Sequence, residues 1–480
     1  MRHVSVLAAA FALAGVLALP GVALGSGKVI GVAPPSGGDD TAAIQTALNG
    51  CVGAAPGCVV QLRAGTYHTS QLVTLGFQGT FRGAGMGHTT LAALPNLSIP
   101  WDPYPCFTGS LPTCPQPDLL LFIDGSVEVS DLSVRISATN GTGTTPWEYG
   151  TGLASAFYFV SVTHLAVSVD RVAVAGSIDP SGGQFGSDFN TNNGFEFGSW
   201  SPAATGSFNV RGSSISTVVS AVVVDSVFRM SRVNVTGNTI SGVDFGMWLS
   251  GPSGIFDVSF NRVSADNPDP AAFNHLGIVL QPTGLETGLT SRFSIHDNTI
   301  TANDTCGCGM TGIWLLDAVG GLPHWFTATV AHNMISLPFN GTMLSGEGKA
   351  GIDVNNTMGS IIIGNKITAA PAGTIEGIGL WGNDPSLPPA TRNSILANDV
   401  SGVKLDPANS WSGQILLDSF TANNLVACLR STDTVADYGT ANTVLHCDPA
   451  THPSTLRPSV LARSHSALFR NMPGLLNKVR

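Results

Sequence analysis

Residues 295–300 read IHDNTI, and residues 312–316, a short way on, read GIWLL. The first phrase recurs as VTGNTI at Asn238, VSFNRV at Asn261, VAHNMI at Asn333, IIGNKI at Asn365, ILANDV at Asn398 and FTANNL at Asn423. The steps between the asparagines are 23, 37, 35, 32, 33 and 25 residues. A period of this order marks a solenoid whose unequal steps are absorbed as loops. Apolar residues alternate with polar ones in each copy, so each reads as a strand running into a bend. A side-chain amide both donates and accepts, so asparagines at equivalent bends predict a column bonded from rung to rung.

The second phrase alternates with the first: GMWLS at Gly246, GIVLQ at Gly277, GIWLL at Gly312, GIDVN at Gly351, GIGLW at Gly377 and GVKLD at Gly402. Two strand types alternating in order make a coil. Less regular copies precede them, VEVSDLSV around Asp131, VDRVAVAG around Arg171 and GFEFG at Gly194 among them. Upstream, DDTAAIQTAL from Asp39 opens on capping candidates and sets Ile44, Ala47 and Leu48 on one face. This predicts a cap helix near residues 39–50 that plugs the first coil. After it come VVQLRAGTY from Val59 and FRGAGMGHTTL from Phe81, strands broken by glycines. GAGMGH at Gly83 is no dinucleotide fingerprint, because His88 replaces the third glycine and no βαβ unit surrounds it.

Cap, AGTY strand and Asn-bend repeats together resemble the pectate-lyase-like superfamily, the pectin lyase fold, over about Asp39 to Cys447. Arg63 stands where that family's opening strand has proline. The resemblance implies an all-β, single-domain right-handed parallel β-helix with a short N-terminal cap helix. The expected layout is a signal peptide over 1–25, the coil over 26–448 and a basic tail over 449–480 whose apolar residues, such as Leu468 and Phe469, suggest a capping helix.

Composition narrows the function. The 480 residues carry a formal charge of −10, with 11% charged residues and no basic cluster in the body of the chain. Nucleic acid, whose affinity rests on a basic footprint, is set aside. Residues 1–25 have the charged start, apolar core and small-residue end of an export signal, and no later stretch has transmembrane length. A secreted or periplasmic monomer is the expectation. Export suits the local cysteine pairs Cys51/Cys58, Cys106/Cys114 and Cys428/Cys447 as disulfides. Cys306 and Cys308 stay open between a tight disulfide, a free dithiol and a metal site with His296 or His324.

With Ile and Leu of the second phrase pointing inward, alternation sets Trp248, Val279, Trp314, Asp353, Gly379 and Lys404 in one outward column. Ser250, Gln281, Leu316, Asn355, Trp381 and Asp406 form a second. Indole rings pack on sugar C–H faces while carboxylates and amides bond sugar hydroxyls, so this face reads as a polysaccharide site. Packing of the tryptophans under loops is the competing reading, with His324 and Trp325 on one such loop. Trp248, Trp314, Trp381 and Asn355 are the candidate substrate-binding residues. Asp353, Lys404, Asp406 and Glu376 are the candidate catalytic ones. For hydrolysis, Asp353 and Asp406 stand about 11–12 Å apart from strand spacings alone, so Glu376 would serve as a nearer acid of raised pKa. The Asn-Thr-Asp and Gly-His-Gly phrases of polygalacturonase-like members do not occur. For β-elimination, Lys404 would lie about 10 Å from Asp353 with a sugar ring between them. Calcium is the one cofactor to consider, with Asp353, Asn355 and Asp406 as its oxygen ligands. A non-catalytic polysaccharide-binding or cell-surface solenoid is the alternative function.

Overall fold

The computed structural model describes residues 27–54, 57–94, 118–136, 155–176, 193–199, 201, 203–225, 229–250, 254–267, 274–281, 291–303, 307–316, 327–344, 347–382, 389–409 and 412–449. The signal-peptide and C-terminal-tail expectations, Cys106/Cys114, Cys306, His324 and Trp325 lie outside these residues.

The described chain winds into a right-handed parallel β-helix with three strand stacks. One coil runs Gly309–Leu315, Thr327–Ala331 and Met334–Leu337, then returns as Lys349–Asn355 beside its starting strand. We call the stack of Thr327–Ala331 the first sheet, that of Met334–Leu337 the second and that of Gly309–Leu315 the third. The long strands Leu120–Arg135 and Ser155–Ala175 serve more than one sheet, and Asp124 and Asp131 take positive φ in the first of them. Inward residues alternate with outward ones and fill the coil: Ile278, Ile313, Ile352, Ile378 and Ile415 form one buried column. Among the described residues Thr41–Asn49 is the one α-helix, and it buries Ile44, Ala47 and Leu48 over the first coil as expected. It shields a strand end that would otherwise recruit another chain.

The asparagines stack between the first and second sheets. Asn298 illustrates the pattern: its Oδ1 accepts from both the backbone N–H and Nδ2 of Asn261, each at 3.0 Å. Its own Nδ2 donates to Asn333 Oδ1 at 2.9 Å and to Val258 O at 2.9 Å. The chain of bonds runs Asn238, Asn261, Asn298, Asn333, Asn365, Asn398. The residue before each has positive φ: 50–56° at Phe260, Asp297, His332 and Ala397, and 65–67° at Gly237 and Gly364. This left-handed conformation is uncommon outside glycine, and the ladder holds it.

Asn423 is not the next member. It takes the positive-φ place, and Asn424 bonds instead to Asn393 and Asn442 in a second ladder, where the third sheet turns into the first. Cys51–Cys58 and Cys428–Cys447 are disulfides with Cα atoms 5.7 and 5.3 Å apart. Cys308 is also disulfide-bonded, which removes the dithiol and metal readings for it.

Replacing Asn298 by Ala should strand the amide groups of Asn261 and Asn333 in a dry interior. A loss of about 2–4 kcal/mol in urea unfolding is expected. A loss below about 0.5 kcal/mol, the level of an ordinary surface change, would show that the ladder does not carry the bend.

Candidate functional site

The second phrase lies in the third sheet, and its glycine has a packing cause. A Cβ on Gly277 would fall 2.4 Å from an Ile300 methyl and 2.4 Å from Gly312 O; Gly246, Gly312 and Gly351 meet the same obstruction. At this corner each pairing register skips the glycine, and Phe245, Leu276, Thr311, Ala350 and Glu376 pair in sequence just before it. Phe245 and Leu276 pack with Trp248 and Trp314 in a cluster separate from the coil interior, so this column faces outward. Glu376 is the charged member of the five.

The neighbouring outward column runs Trp248, Val279, Trp314, Asp353, Gly379 and then Leu416. It does not reach Lys404. Strand Asp399–Val403 belongs to the second sheet, where Gly402 pairs with Thr368, so GVKLD is not a copy of the second phrase. Gly413–Leu417, reading GQILL, takes that place. The spacing carried the signal: Gly402 follows Asn398 by 4 residues, whereas Gly312 follows Asn298 by 14 and Gly413 follows Asn398 by 15. Four residues are consumed by the second-sheet strand itself.

Two expectations are corrected in consequence. Lys404 is exposed, with its backbone N–H on Ala369 O, and is not placed across a ring from Asp353. Asp406 does not follow Trp381 in the second outward column. Its Oδ2 accepts from Gly373 N at 2.8 Å and its Oδ1 from Ala408 N at 2.9 Å, as in a turn. The proposed calcium ligands Asp353, Asn355 and Asp406 are therefore not assembled, and no group of three or more His, Cys, Asp or Glu among the described residues suits a metal ion.

Asp418, unremarked in the sequence, takes the place next to Trp381: its N–H donates to Leu380 O, and Leu417 before it pairs with Leu380. The face thus gathers Asp353, Glu376, Asp418, Asn355 and Trp381. Trp381 Nε1 donates to Glu376 Oε1 at 3.2 Å. Both groups lie over Gly379, where a Cβ would come 2.5 Å from Trp381 Nε1 and 2.8 Å from Glu376 Oε1. Gly379 faces Asp353 in the adjoining rung, so the Glu376 carboxyl sits about one rung spacing, 4.8 Å, from the Asp353 strand. Its Oε2 is buried with no hydrogen-bond partner among the described residues.

These groups are not in open water. Asp353 is 1% exposed, Glu376 2% and Asp418 6%. The tryptophans are packed and not open platforms: Trp248 and Trp314 lie with Phe245, Leu276 and Leu316, and Trp381 with Ile375, Leu416 and Ala436. Burial, reinforced by the Asp353 charge, pushes the Glu376 carboxyl well above the usual carboxylate range despite the Trp381 bond. Burial likewise pushes Asp418 up to about 6, with the Asp353 charge adding and the N–H groups of Phe420 and Gly382 opposing. A buried carboxyl pushed up in this way beside a second carboxyl is a candidate proton donor.

No family model matches the sequence, and no curated protein is similar to it. Solved structures with a similar fold include the mannuronan C-5 epimerase AlgE4 A-module of Azotobacter vinelandii. The similarity covers 82% of this chain and 97% of that one, at 13% identity and a TM-score of 0.43. The periplasmic alginate epimerase AlgG covers 82% and 77%, at 10% identity and 0.41. DFA-IIIase of Arthrobacter chlorophenolicus A6, in complex with DFA-III, covers 83% and 94%, at 13% identity and 0.43. At these identities and TM-scores none carries an argument about chemistry, which rests on the side chains above.

Asp418 gives the cluster a pH signature. Its folded pKa lies above its ordinary value of 3.8, so folding takes up a proton and the stabilisation is full below about pH 4. It is lost as pH rises through about 6, by up to roughly 3 kcal/mol. Urea unfolding at pH 4.5 and 7.5 should show this decline, and Asp418→Asn should lessen it while leaving the part that the raised Glu376 carboxyl contributes. An equal slope in both proteins would refute the assignment.

Proposed function

We propose that the protein hydrolyses a neutral glycosidic bond at the outer face of the third sheet, with Glu376 as proton donor and Asp353 as nucleophile. The observation that carries this reading is the Glu376 carboxyl, buried beside Asp353 with one oxygen unengaged and pushed well above the usual carboxylate range. In the proposed reaction Glu376 gives its proton to the departing glycosidic oxygen while Asp353 attacks the anomeric carbon. Water, deprotonated by Glu376, then releases the sugar from Asp353 and restores both groups. Adjoining rungs bring the two residues together, and the reaction proposed is the retaining one, whose carboxyls stand about 5–5.5 Å apart. The described outward columns of this face hold no lysine or arginine beside the three carboxyls to neutralise a uronate. A neutral substrate fits that charge, and β-elimination or epimerisation does not.

Extracellular or periplasmic residence is part of the proposal. It rests on the apolar N-terminus and the disulfides Cys51–Cys58 and Cys428–Cys447. Among the described residues no helix is long and apolar enough to cross a membrane. The near-complete burial of the carboxyls favours one second reading, a non-catalytic solenoid in which this face is only packed core.

A panel of neutral and acidic polysaccharides, read in parallel for reducing ends and for the ultraviolet absorbance of unsaturated ends, separates the readings. Reducing ends alone from a neutral polymer are expected, with Glu376→Gln lowering kcat by about 10²–10⁴-fold. Full turnover in that variant would remove Glu376 from the mechanism. No product from any polymer, with Glu376→Gln more stable than the parent at pH 8, would establish the packed-core reading.

A further inference from the structure

A second surface, on another side of the coil and near its N-terminal end, is open where the third sheet is covered. The outward face of the first sheet forms a groove of about 420 Å³ over four successive rungs. Its floor is two columns. Gln78, Ser126, Ala166 and Ser207 pair in one, and Thr80, Glu128, Ser168 and Asn209 in the other. Small side chains let an occupant approach the strand backbone. Glu128 spends one oxygen on Thr80 Oγ1 at 3.0 Å, and Asn209 holds Asn234 through its amide. Gln78, Ser126, Ser168 and Ser207 make no side-chain hydrogen bond among the described residues. Donors and acceptors are thus left at a rung spacing of about 4.8 Å, the scale of one sugar ring.

We infer that this groove binds a neutral polysaccharide chain lying along the coil axis, without taking part in chemistry. Charge selects the class. Glu128 is the charged residue of the groove lining and repels an acidic polymer. Arg211 pairs with Asp170 at 3.0 Å and Arg82 bonds Gln61 Oε1 at 2.6 Å, while Arg232, one rung beyond Ser207 in the first column, donates to Asn234 Oδ1 at 3.0 Å and lies outside the lining. Hydroxyls, which donate and accept, match the mixed serine and amide lining. The groove lies five rungs, about 24 Å along the axis, from the first-sheet strand that follows Asp353. It would hold the polymer to the protein by effective concentration, not by contact with the reacting bond. The inference does not rest on the proposed hydrolysis.

Affinity electrophoresis through gels containing a β-glucan, a galactomannan or a xylan, with alginate as the acidic control, tests it. The wild type should be retarded by at least one neutral polymer and not by alginate. Ser168→Trp with Ser207→Trp, which fills the floor, should weaken retention at least tenfold at an unchanged unfolding midpoint. The milder Gln78→Ala with Asn209→Ala should weaken it in the same direction, and Glu376→Gln should bind as the wild type does. Retention by no neutral polymer, equal retention by alginate, or unaltered retention in both groove variants would each overturn the inference. If Glu376→Gln alone abolished retention, the chain would be held on the third sheet, so this inference would fall while the proposed site stood.

Discussion

Parallel pairing in constant register is the constraint on which the rest of the molecule depends. With rungs about 4.8 Å apart, every outward position becomes a column, and a side chain's neighbours are set by strands tens of residues away. What keeps the register fixed is the bend. Each inner ladder asparagine, Asn261, Asn298, Asn333 and Asn365, uses its amide oxygen twice and its amide nitrogen at least twice, all within the buried stack. The bends therefore superpose although the chain between them varies from 23 to 37 residues. Insertions are taken up outside the rungs, because a flexible loop adds closure entropy only slowly with length.

The same constraint builds the carboxyl cluster. Methyls of second-sheet isoleucines and valines, Ile300 at Gly277 and Val403 at Gly377 among them, crowd the corner where the third sheet begins, so that glycine is the residue that fits there. The irregularity at that glycine turns the preceding residue outward, which delivers Glu376 to the face that Asp353 already occupies. Gly379 completes the arrangement by leaving the space into which Glu376 and Trp381 fold. Two glycines with different duties, one for close packing and one for an opening, thus lie two positions apart in one strand.

What the sequence made legible was local or strictly periodic. The asparagine column, the cap helix with Ile44, Ala47 and Leu48 buried, and the short-range disulfides are each encoded within a few dozen residues. Strand partnership was less legible. GVKLD has the composition of the second phrase, and only its distance of 4 residues from Asn398 betrays that it is a second-sheet strand. Asn423 and Asn424 are adjacent, and which of them takes the left-handed place depends on its neighbours in the stack. The burial of Trp248, Trp314 and Trp381 depends on what packs over the third sheet, which alternation along a strand does not record. Asp418 was missed because it stands one residue beyond its strand, outside the repeated phrase.

Two buried carboxyls on the same face show how satisfaction separates architecture from chemistry. Glu196 lies in the Asp353 column at the N-terminal end, where its Oε2 accepts from Ser155 Oγ at 2.6 Å and Asn193 Nδ2 at 2.9 Å. Neutral donors from two adjoining rungs serve it, as they would any structural polar group in a dry interior. Glu376 has one bond from Trp381 and the repulsion of Asp353 beside it, with Oε2 left over. Burying a carboxyl so poorly provided for costs stability unless it stays protonated. A carboxyl pushed up by burial beside a second carboxyl is the arrangement acid catalysis needs, and a merely structural strand would do better with the apolar residues that occupy the Glu376 column at Phe245 and Leu276.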